Sequence, residues 1–332
     1  MTVTVGIRCD AGPRTGVGHL VRCVALAEEL TARRVAVHFL SDLGGVAWAE
    51  QQLTGRGLPW HPAPYDEVGL VSAADRLALD AVVIDSYTLP PSHSLALRAS
   101  GRPVLAIVDG ELRGQTADIY VDQNLDAVPS GEGVFLTGLG YALLRRAIRD
   151  LRPSAAPRPS TAVPKVVAFF GGTDAYGAAP VVSQLLIETG APFHATVIAA
   201  NDDLRSRLVA LKAGAGQHLD IIDPTDELPE LLAGADLVLS ASGTSTWELL
   251  CLGLPSALVW VVDNQINGYD RTTARGLAAG LGHLPELGGS AGATLRGLLV
   301  DPEARGALAA RAWAAVDGLG TARVSDALLD TV

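Results

Sequence analysis

The feature that most constrains the fold is a repeated pattern of short apolar runs, each followed by a polar or glycine-rich turn and a helical pattern. In the first half, the predicted strands are residues 3–8, 35–40, 81–84, 104–108 and 119–121. The pattern then restarts, with predicted strands at 166–170, 195–199, 220–222, 237–240 and 256–262. Continuous apolar runs are typical of strands buried on both faces of a parallel sheet. The sequence therefore predicts an α/β fold of two facing Rossmann-like, doubly wound domains.

A proline-rich segment separates the two halves. Residues 152–164, RPSAAPRPSTAVP, carry four prolines among small residues, which disfavours both helix and central strand. We interpret the segment as an interdomain linker, with a long surface loop as the alternative. The predicted domains are residues 1–151 and 165–332.

Composition excludes several classes of protein. The chain has 25 basic and 36 acidic residues and a net charge of -11, which argues against a general nucleic-acid binder. Its three cysteines are far apart and form no CxxC pair, so neither a disulfide framework nor a cysteine zinc site is expected. No DxD or HExxH motif calls for a metal. The chain shows no signal segment and no run long enough to span a bilayer, so the expected location is the cytoplasm.

The loop at residues 8–22 follows the first predicted strand and opens the first helix. Gly16 and Gly18 allow tight turns and close approach of a ligand, and the helix N-terminus offers N–H groups and a favourable dipole. His19 lies at this point and is the candidate catalytic base, with a helix-capping role as the alternative. Asp10 and Arg22 belong to the same loop and are candidate contacts for a sugar or an acceptor.

The same loop matches a dinucleotide-binding fingerprint only in part. Val21 stands where the third glycine of GxGxxG is required, and the phosphate-loop motif GxxxxGK[ST] is absent. An NAD-dependent enzyme is therefore disfavoured.

The loop at residues 240–250 is the candidate nucleotide site. Ser242, Gly243, Thr244 and Ser245 precede or open a predicted helix, whose N–H groups and neighbouring hydroxyls suit a diphosphate. Glu248 lies one turn into that helix, where its carboxylate suits two vicinal ribose hydroxyls. A capping box that needs no ligand is the alternative.

Other candidate residues also follow predicted strands, where doubly wound folds bind ligands. Amides both donate and accept hydrogen bonds, so Asn264 and Gln265 suit sugar hydroxyls, the alternative being a polar loop with a helix cap. The remaining candidates at strand ends are Asp85, Tyr87 and Asp109 in the first half, and Gly171, Gly172 and Thr173 in the second.

In their order and spacing, these motifs resemble those of the bacterial UDP-sugar hydrolase of the pseudaminic acid pathway. That family has the GT-B fold and is close to the lipid-linked N-acetylglucosamine transferases of cell-wall synthesis. The matching segments cover most of the chain: RCDAGPRTGVGHLVRCVALA at 8–27, VIDSY at 83–87, VDGE at 108–111, VDQN at 121–124, GYALLR at 140–145, FFGGTD at 169–174, SASGTSTWELLCLGLP at 240–255 and VVDNQ at 261–265.

The resemblance implies a role for each matching position. His19 would act on the nucleophile at the anomeric carbon, and Tyr87 with Asn264 and Gln265 would contact the sugar. Residues 242–244 would hold the diphosphate, Glu248 the ribose, and residues 171–173 would face the cleft. The first domain would then bind the acceptor and the second the nucleotide-sugar. The implied chemistry inverts the anomeric centre without a metal or cofactor, with the UDP-sugar as co-substrate.

The chain departs from the hydrolases in its first half. Ser86 and Gly110 stand where the hydrolases carry His and a second Asp, and residues 146–148 replace an acidic and an aromatic residue. Because these positions lie in the acceptor domain, we favour a glycosyltransferase that resembles cytosylglucuronic acid synthase. It would move a sugar, such as glucuronic acid or an amino sugar, from a UDP-sugar to a small acceptor such as a nucleobase, in antibiotic or other natural-product biosynthesis. The alternatives are a UDP-sugar hydrolase and a non-catalytic sugar-nucleotide sensor. The oligomeric state is left open, with a homodimer as one alternative.

Overall fold

The computed structural model describes residues 2–12, 17–128, 131–158, 160 and 162–332. The chain divides into two compact units, one formed by Met1–Arg146 with Gly318–Val332 and the other by Ala147–Asp317. Both units are α/β and are built on parallel sheets, as the sequence predicts.

The first unit opens with strands and helices in alternation. Its strands are β1 (Thr4–Cys9), β2 (Ala36–Ser41), β3 (Trp60–Pro62), β4 (Ala81–Asp85), β5 (Val104–Ile107), β6 (Ile119–Asp122) and β7 (Val134–Thr137). Its helices before the second unit are α1 (Gly18–Ala32), α2 (Ala47–Thr54), α3 (Glu67–Arg76) and α4 (Pro91–Ala99), and α5 (Arg146–Asp150) lies at the boundary.

The second unit repeats the pattern. Its strands are β8 (Lys165–Phe169), β9 (Phe193–Ile198), β10 (Gln217–Ile222), β11 (Leu237–Ala241), β12 (Ser256–Trp260) and β13 (Ala279–His283). Its further helices are α6 (Ala178–Glu188), α7 (Asp202–Val209), α8 (Leu228–Ala233), α9 (Ser245–Leu252), α10 (Ile266–Ala274), α11 (Gly289–Val300) and α12 (Pro302–Ala315), and α13 (Gly320–Leu329) then returns to the first unit. None of the described helices is long and apolar enough to cross a membrane.

Both sheets have the strand order of a doubly wound fold. Within the described residues the first is β3-β2-β1-β4-β5-β6-β7 and the second is β10-β9-β8-β11-β12-β13. In the first sheet, Val83 packs into the core on one face and Ile84 into the core on the other, which is why the strands read as continuous apolar runs. The order reverses between β1 and β4 and between β8 and β11. Ligand crevices form at the carboxyl ends of strands at such switch points.

The strands that the sequence did not predict lie at sheet edges. They are β3 and β7 in the first sheet and β13 in the second. Pro62 ends the three-residue β3, while Gly280 and Gly282 interrupt the apolar pattern of β13. Proline and glycine are tolerated at edges, because an edge strand has a neighbour on one side only. The pattern therefore identified the central strands and the edge strand β10, and missed the other three edge strands.

The final helix lies in a different unit from the one predicted. The sequence assigned residues 318–332 to the second domain, whereas the structure places them with the first. Val324 and Leu328 of α13 are fully buried in the core that contains β1, and the Leu144 N–H donates to Thr321 Oγ1 at 3.0 Å. The apolar face of α13 thus packs against residues that lie far earlier in the sequence.

The predicted linker packs against the second unit. The Arg152 guanidinium donates to the carbonyl oxygens of Trp313 at 2.9 Å and Val316 at 3.1 Å, and lies 4.5 Å from the Trp313 ring centroid. Pro157 lies against Gly253. Residues 159 and 161 of this segment lie outside the described residues.

Candidate active site

The switch point of the first sheet brings His19 and Asp85 together. His19 lies in the first turn of α1, after β1, and Asp85 is the last residue of the adjacent β4. His19 Nδ1 is 2.5 Å from Asp85 Oδ1. An ionised carboxylate can only accept, so Nδ1 carries the hydrogen, and in the neutral imidazole the lone pair is then on Nε2. Nε2 has no hydrogen-bond partner among the described residues, and this geometry is suited to a general base.

Arg22 lies one turn further along α1 and joins two carboxylates. Its Nε and Nη2 donate to Asp85, both at 2.6 Å, and its Nη1 and Nη2 donate to Asp109 at 3.0 and 2.9 Å. The residue is 2% exposed. Its Nη2 also lies 3.3 Å from His19 Nδ1, but two N–H groups meeting head-on do not form a hydrogen bond. The sequence predicted that Arg22 contacts the sugar or the acceptor. In the structure, its guanidinium instead donates hydrogen bonds to Asp85 and Asp109.

Arg22, Asp85 and Asp109 stay charged at neutral pH. Burial acts to raise the pKa of Asp85, but Arg22 and His19 outweigh it, and the net pKa lies below the usual value. Burial acts in the same way on Asp109, whose pKa is held well below its usual range by Arg22, Tyr87 and Asn124. For Arg22, burial acts to lower the pKa, while the two carboxylates raise it well above the ordinary value. Two negative charges therefore share one buried guanidinium.

Tyr87 completes the cluster at its exposed side. Its hydroxyl donates to Asp109 Oδ2 at 2.6 Å, and its ring meets the His19 ring edge-on, with centroids 4.4 Å apart. Burial and the neighbouring Asp109 raise the pKa of Tyr87, so the hydroxyl remains a donor. The residue is 40% exposed and can still meet a ligand. The structure thus brings the predicted residues His19, Asp85, Tyr87 and Asp109 into one hydrogen-bonded group.

Two residues of this group were given no role by the sequence. Asn124 Nδ2 donates to Asp109 Oδ1 and to Asp122 Oδ1, both at 2.8 Å, and Asp122 Oδ2 accepts from the Gly110 N–H at 2.8 Å. Asp122 ends β6 and Asn124 follows it by two residues, as Asp85 ends β4 and Asp109 follows the end of β5 by two residues. The sequence feature that could have identified these two residues is their position at the end of the next parallel strand.

The remaining predictions for the first glycine-rich loop have different outcomes. Gly18 is the first residue of α1, and Gly16 lies outside the described residues. Asp10 is not among the hydrogen-bond partners of the His19 cluster in the described part of the chain. It pairs with Arg8 and accepts from the Asp42 N–H at 3.1 Å, which joins the loops after β1 and β2. The structure thus places Asp10 where its carboxylate connects these two loops.

In the second unit, the segment from Ser242 to Ser245 leaves β11 at the switch point and opens α9. The N–H groups of Thr244 and Ser245 make no hydrogen bond to the described residues, and the Thr244 side chain makes no capping bond. Gly243 is exposed, with no atom within 4 Å of the position that a Cβ would take. Unpaired N–H groups at the positive end of a helix dipole favour an anion.

The sugar and ribose candidates lie close to this segment. Glu248 is 5% exposed in α9. Asn264 and Gln265 belong to a short 3₁₀ turn after β12; Asn264 is exposed, and Gln265 Oε1 accepts from the Val261 N–H at 2.8 Å. A Cβ at Gly268 would lie 4.0 Å from Ser242 Oγ, so the chain after this turn runs beside the Ser242 segment. The ribose and sugar contacts stay predictions.

The loop after β8 contains Gly171, Gly172 and Thr173, beside β11 at the switch point. The nearby N-terminus of α6 is already filled, because the Asp174 carboxylate accepts from the N–H groups of Ala178 at 2.8 Å and Ala179 at 2.9 Å. A nucleotide contact here would have to come from residues 171–173 themselves, and it also stays a prediction. In the part of the chain that the structure describes, no group of three His, Cys, Asp or Glu side chains is placed to hold a metal ion.

Comparison with known proteins identifies the fold. No protein-family model and no curated protein matches the sequence. Solved structures do match. MurG from Acinetobacter baumannii has a TM-score of 0.73 and 17% identity over 99% of each chain. The glycosyltransferase SnogD from Streptomyces nogalater has a TM-score of 0.66 and 15% identity over 100% of each chain. A UDP-GlcNAc 2-epimerase from Neisseria meningitidis, solved with UDP-GlcNAc bound, has a TM-score of 0.65 and 14% identity over 99% of this chain and 100% of that one.

These structures cover nearly the whole chain, so the fold is that of the GT-B glycosyltransferases, as predicted. At identities below 20% the likeness shows the fold alone. The closer resemblances to the pseudaminic-pathway hydrolase and to cytosylglucuronic acid synthase stay predictions.

Proposed function

We propose that this chain is a glycosyltransferase that moves a sugar from a UDP-sugar to a small acceptor, with His19 as the general base. The observation that carries the proposal is the His19–Asp85 pair at the switch point, with Nε2 left to take a proton. The fold supports it, because SnogD is a glycosyltransferase and the Neisseria epimerase was solved with UDP-GlcNAc. One solved protein of this fold is thus a glycosyltransferase by name, and another binds a UDP-sugar.

The proposed reaction is a displacement at the anomeric carbon. His19 Nε2 takes the proton from an acceptor O–H or N–H, whose lone pair forms the new bond to C1. The bond from C1 to the diphosphate oxygen breaks, and its electron pair leaves with UDP, which inverts the anomeric centre. Asp85 stabilises the imidazolium that forms, and Arg22 keeps Asp85 ionised. General-base catalysis of this kind contributes about 10²–10⁴-fold.

In the proposal, the second unit holds the leaving group. The free N–H groups of Thr244 and Ser245 bind the diphosphate without a metal and stabilise the charge that develops on it. Glu248 binds the ribose hydroxyls, Asn264 and Gln265 bind sugar hydroxyls, and residues 171–173 complete the nucleotide site.

Removing one of these N–H groups tests the diphosphate site. Thr244 has φ -58°, a value that proline adopts, and it follows a glycine, which tolerates a following proline. Thr244→Pro removes the N–H while leaving the backbone in place, and we expect its Kd for UDP to rise about tenfold, the worth of one hydrogen bond to a charged group. Isothermal titration calorimetry measures the Kd. Thr244→Ala, which loses the hydroxyl and keeps the N–H, is the matched control and should bind UDP more tightly than the proline variant does. Equal affinity of the proline variant and this control would contradict the proposed diphosphate site.

The acceptor is tested by following UDP release. We propose glucuronic acid or an amino sugar as the transferred group and a nucleobase as the acceptor. The protein is incubated with UDP-glucuronic acid or UDP-GlcNAc, with and without cytosine, and UDP and the glycosylated base are measured. Release of UDP that depends on cytosine supports transfer, and release at the same rate without any acceptor contradicts it.

Hydrolysis is the second candidate, because the same His19–Asp85 pair can deprotonate water as readily as an acceptor. In ¹⁸O-labelled water, a hydrolase that attacks C1 places the label on the released sugar. Label on the phosphate would argue against both reactions. Conversion of UDP-GlcNAc into another UDP-sugar without UDP release would instead show an epimerase.

A further inference from the structure

The loop after β5 places a cation on the ring beside His19. The guanidinium carbon of Arg113 lies 4.2 Å from the centroid of the Tyr87 ring. The same ring lies 4.4 Å from the His19 ring. A guanidinium stacked on an aromatic face is attracted by the ring and keeps its N–H edge free for a second partner.

No carboxylate in the described part of the chain neutralises the positive charge of Arg113. Arg113 is exposed and has no carboxylate partner among the described residues, and Glu111, exposed two residues earlier, forms no ion pair with it. Arg56 and Arg98 of the same unit pair with Glu28 and Asp118. Arg22, which also lies close to His19, pairs with two carboxylates. In the part of the chain that the structure describes, Arg113 is therefore a cation near His19 that remains available to a ligand.

The loop also holds Arg113 in a fixed and unfavourable backbone conformation. Its φ is +48°, in the left-handed region that side chains other than glycine and asparagine seldom adopt. The turn is closed by the Gln115 N–H, which donates to Leu112 O at 2.8 Å. The buried Gln115 side chain donates to Leu89 O at 2.7 Å, which ties this loop to the one that carries Tyr87. Strain of this kind persists where surrounding contacts impose it, and it clusters at ligand sites.

We propose that Arg113, stacked on Tyr87, binds an anionic group, a carboxylate or a phosphate, of the molecule that reacts at His19. A carboxylate or phosphate matches the planar fork of an arginine, which donates two parallel hydrogen bonds. The substrate class is thereby narrowed to anionic sugars or anionic acceptors. The inference rests on the proposed function only in taking the His19 cluster as the reaction site.

Binding of small anions to the full-length protein tests this without any turnover. The probes are D-glucuronate and inorganic phosphate, with D-glucose as the uncharged control. NMR spectra of the ¹⁵N-arginine side chains and of the histidine rings report binding, and Arg113→Asn and His19→Asn identify the two signals. We expect at least one anion to shift the Arg113 and His19 signals saturably, with no response to glucose.

The variants are chosen to keep the loop intact. Arg113→Asn removes the charge and suits the left-handed φ, so the backbone is retained. We expect the histidine-ring shifts to report at least about tenfold weaker anion binding in this variant, as for a lost charge-assisted pair, and a partial loss in Arg113→Lys. Arg76→Gln is the matched control, because Arg76 is exposed on α3 of the same unit, and its substitution should change nothing. Equal anion affinity in Arg113→Asn and Arg76→Gln, or no saturable shift in the wild type, would overturn the inference.

The source of the anion is separated by a second comparison. The Kd values for UDP-glucuronic acid and UDP-glucose are measured in the wild type and in Arg113→Asn. Weaker binding of UDP-glucuronic acid alone in the variant places the anionic group on the donor sugar. Unchanged Kd values for both donors, with anion binding lost, place it on the acceptor. Failure of the wild type to bind any UDP-sugar would contradict the proposed function while leaving the anion result standing.

Discussion

The His19→Asn variant is expected to turn over UDP-sugar about 10²–10⁴-fold more slowly than the wild type, with no change in its Kd for UDP. The introduced asparagine would retain a polar side chain in the first turn of α1 but would have no basic ring nitrogen. The loss should therefore appear in kcat rather than in nucleotide binding, because an interaction made only in the transition state affects the chemical step. Rates of UDP release and calorimetric titration with UDP give the two quantities.

A histidine remote from the cluster provides the control. His218 lies on β10 of the second unit with 60% of its side chain exposed, so His218→Asn should leave both kcat and Kd unchanged. The cluster and the Thr244 segment also make opposite predictions: His19→Asn should affect kcat alone, whereas Thr244→Pro should affect UDP affinity. A His19→Asn enzyme with full turnover would leave the protein without its proposed base. A parallel loss of UDP binding would instead place His19 among the nucleotide contacts.

The central part of the fold was predictable because burial on both faces leaves a direct mark on the sequence. The runs at 81–84 and 237–240 are apolar at every position apart from the closing Ser240, and both became central strands, β4 and β11. The edge strand β13 leaves no such mark, because two of its five residues are glycines. The location of α13 was not predictable for a different reason. Its apolar face indicates burial but does not specify which of two cores it joins.

The candidate site was predictable as a set of positions, but not as a set of partners. Strand ends of a doubly wound sheet converge, so Asp85, Tyr87 and Asp109 were expected to lie near His19. Arg22 joins two carboxylates that are 63 and 87 residues away in sequence, and nothing in its local pattern shows that its donors are already used. Arg113 was missed because its signal is a stacking distance and a backbone angle.

Replacing Arg22 should cost more stability than any surface substitution in this unit. Arg22→Met keeps most of the side-chain volume but leaves Asp85 and Asp109 buried without their cation. Removing one partner from a buried ion pair costs about 3–5 kcal/mol, because the remaining charge is neither solvated nor neutralised. We therefore expect the free energy of unfolding at pH 7 to fall by about that amount, measured by urea denaturation. The free energy of unfolding of Arg22→Lys, which keeps a charge without the planar fork, should lie between those of the wild type and Arg22→Met.

The pH dependence of this loss gives a sharper test. In the wild type, the pKa values of Asp85 and Asp109 lie below their unfolded values, so their stabilising contribution is present above the unfolded pKa and is lost as pH falls through the folded pKa. In Arg22→Met, burial acts without the opposing guanidinium and raises both pKa values above the unfolded ones. Protonation then removes the unpaired buried charge from the folded variant, at a pH where the wild type still keeps both carboxylates ionised. The stability difference should therefore be largest near pH 7 and shrink as the pH falls toward about 4, close to the unfolded carboxyl pKa.

An exposed ion pair separates this effect from the general loss of an arginine. Arg98 pairs with Asp118 at 2.9 Å, and their side chains are 38% and 34% exposed. Arg98→Met should cost about 1 kcal/mol or less, since exposed pairs are solvated and screened, and its effect should change little with pH. If Arg22→Met behaved like Arg98→Met at every pH, Asp85 would not depend on Arg22 for its charge. The ionised state of Asp85, which fixes the hydrogen on His19 Nδ1, would then need another explanation. The proposed role of His19 as the base depends on that ionised state and would need one as well.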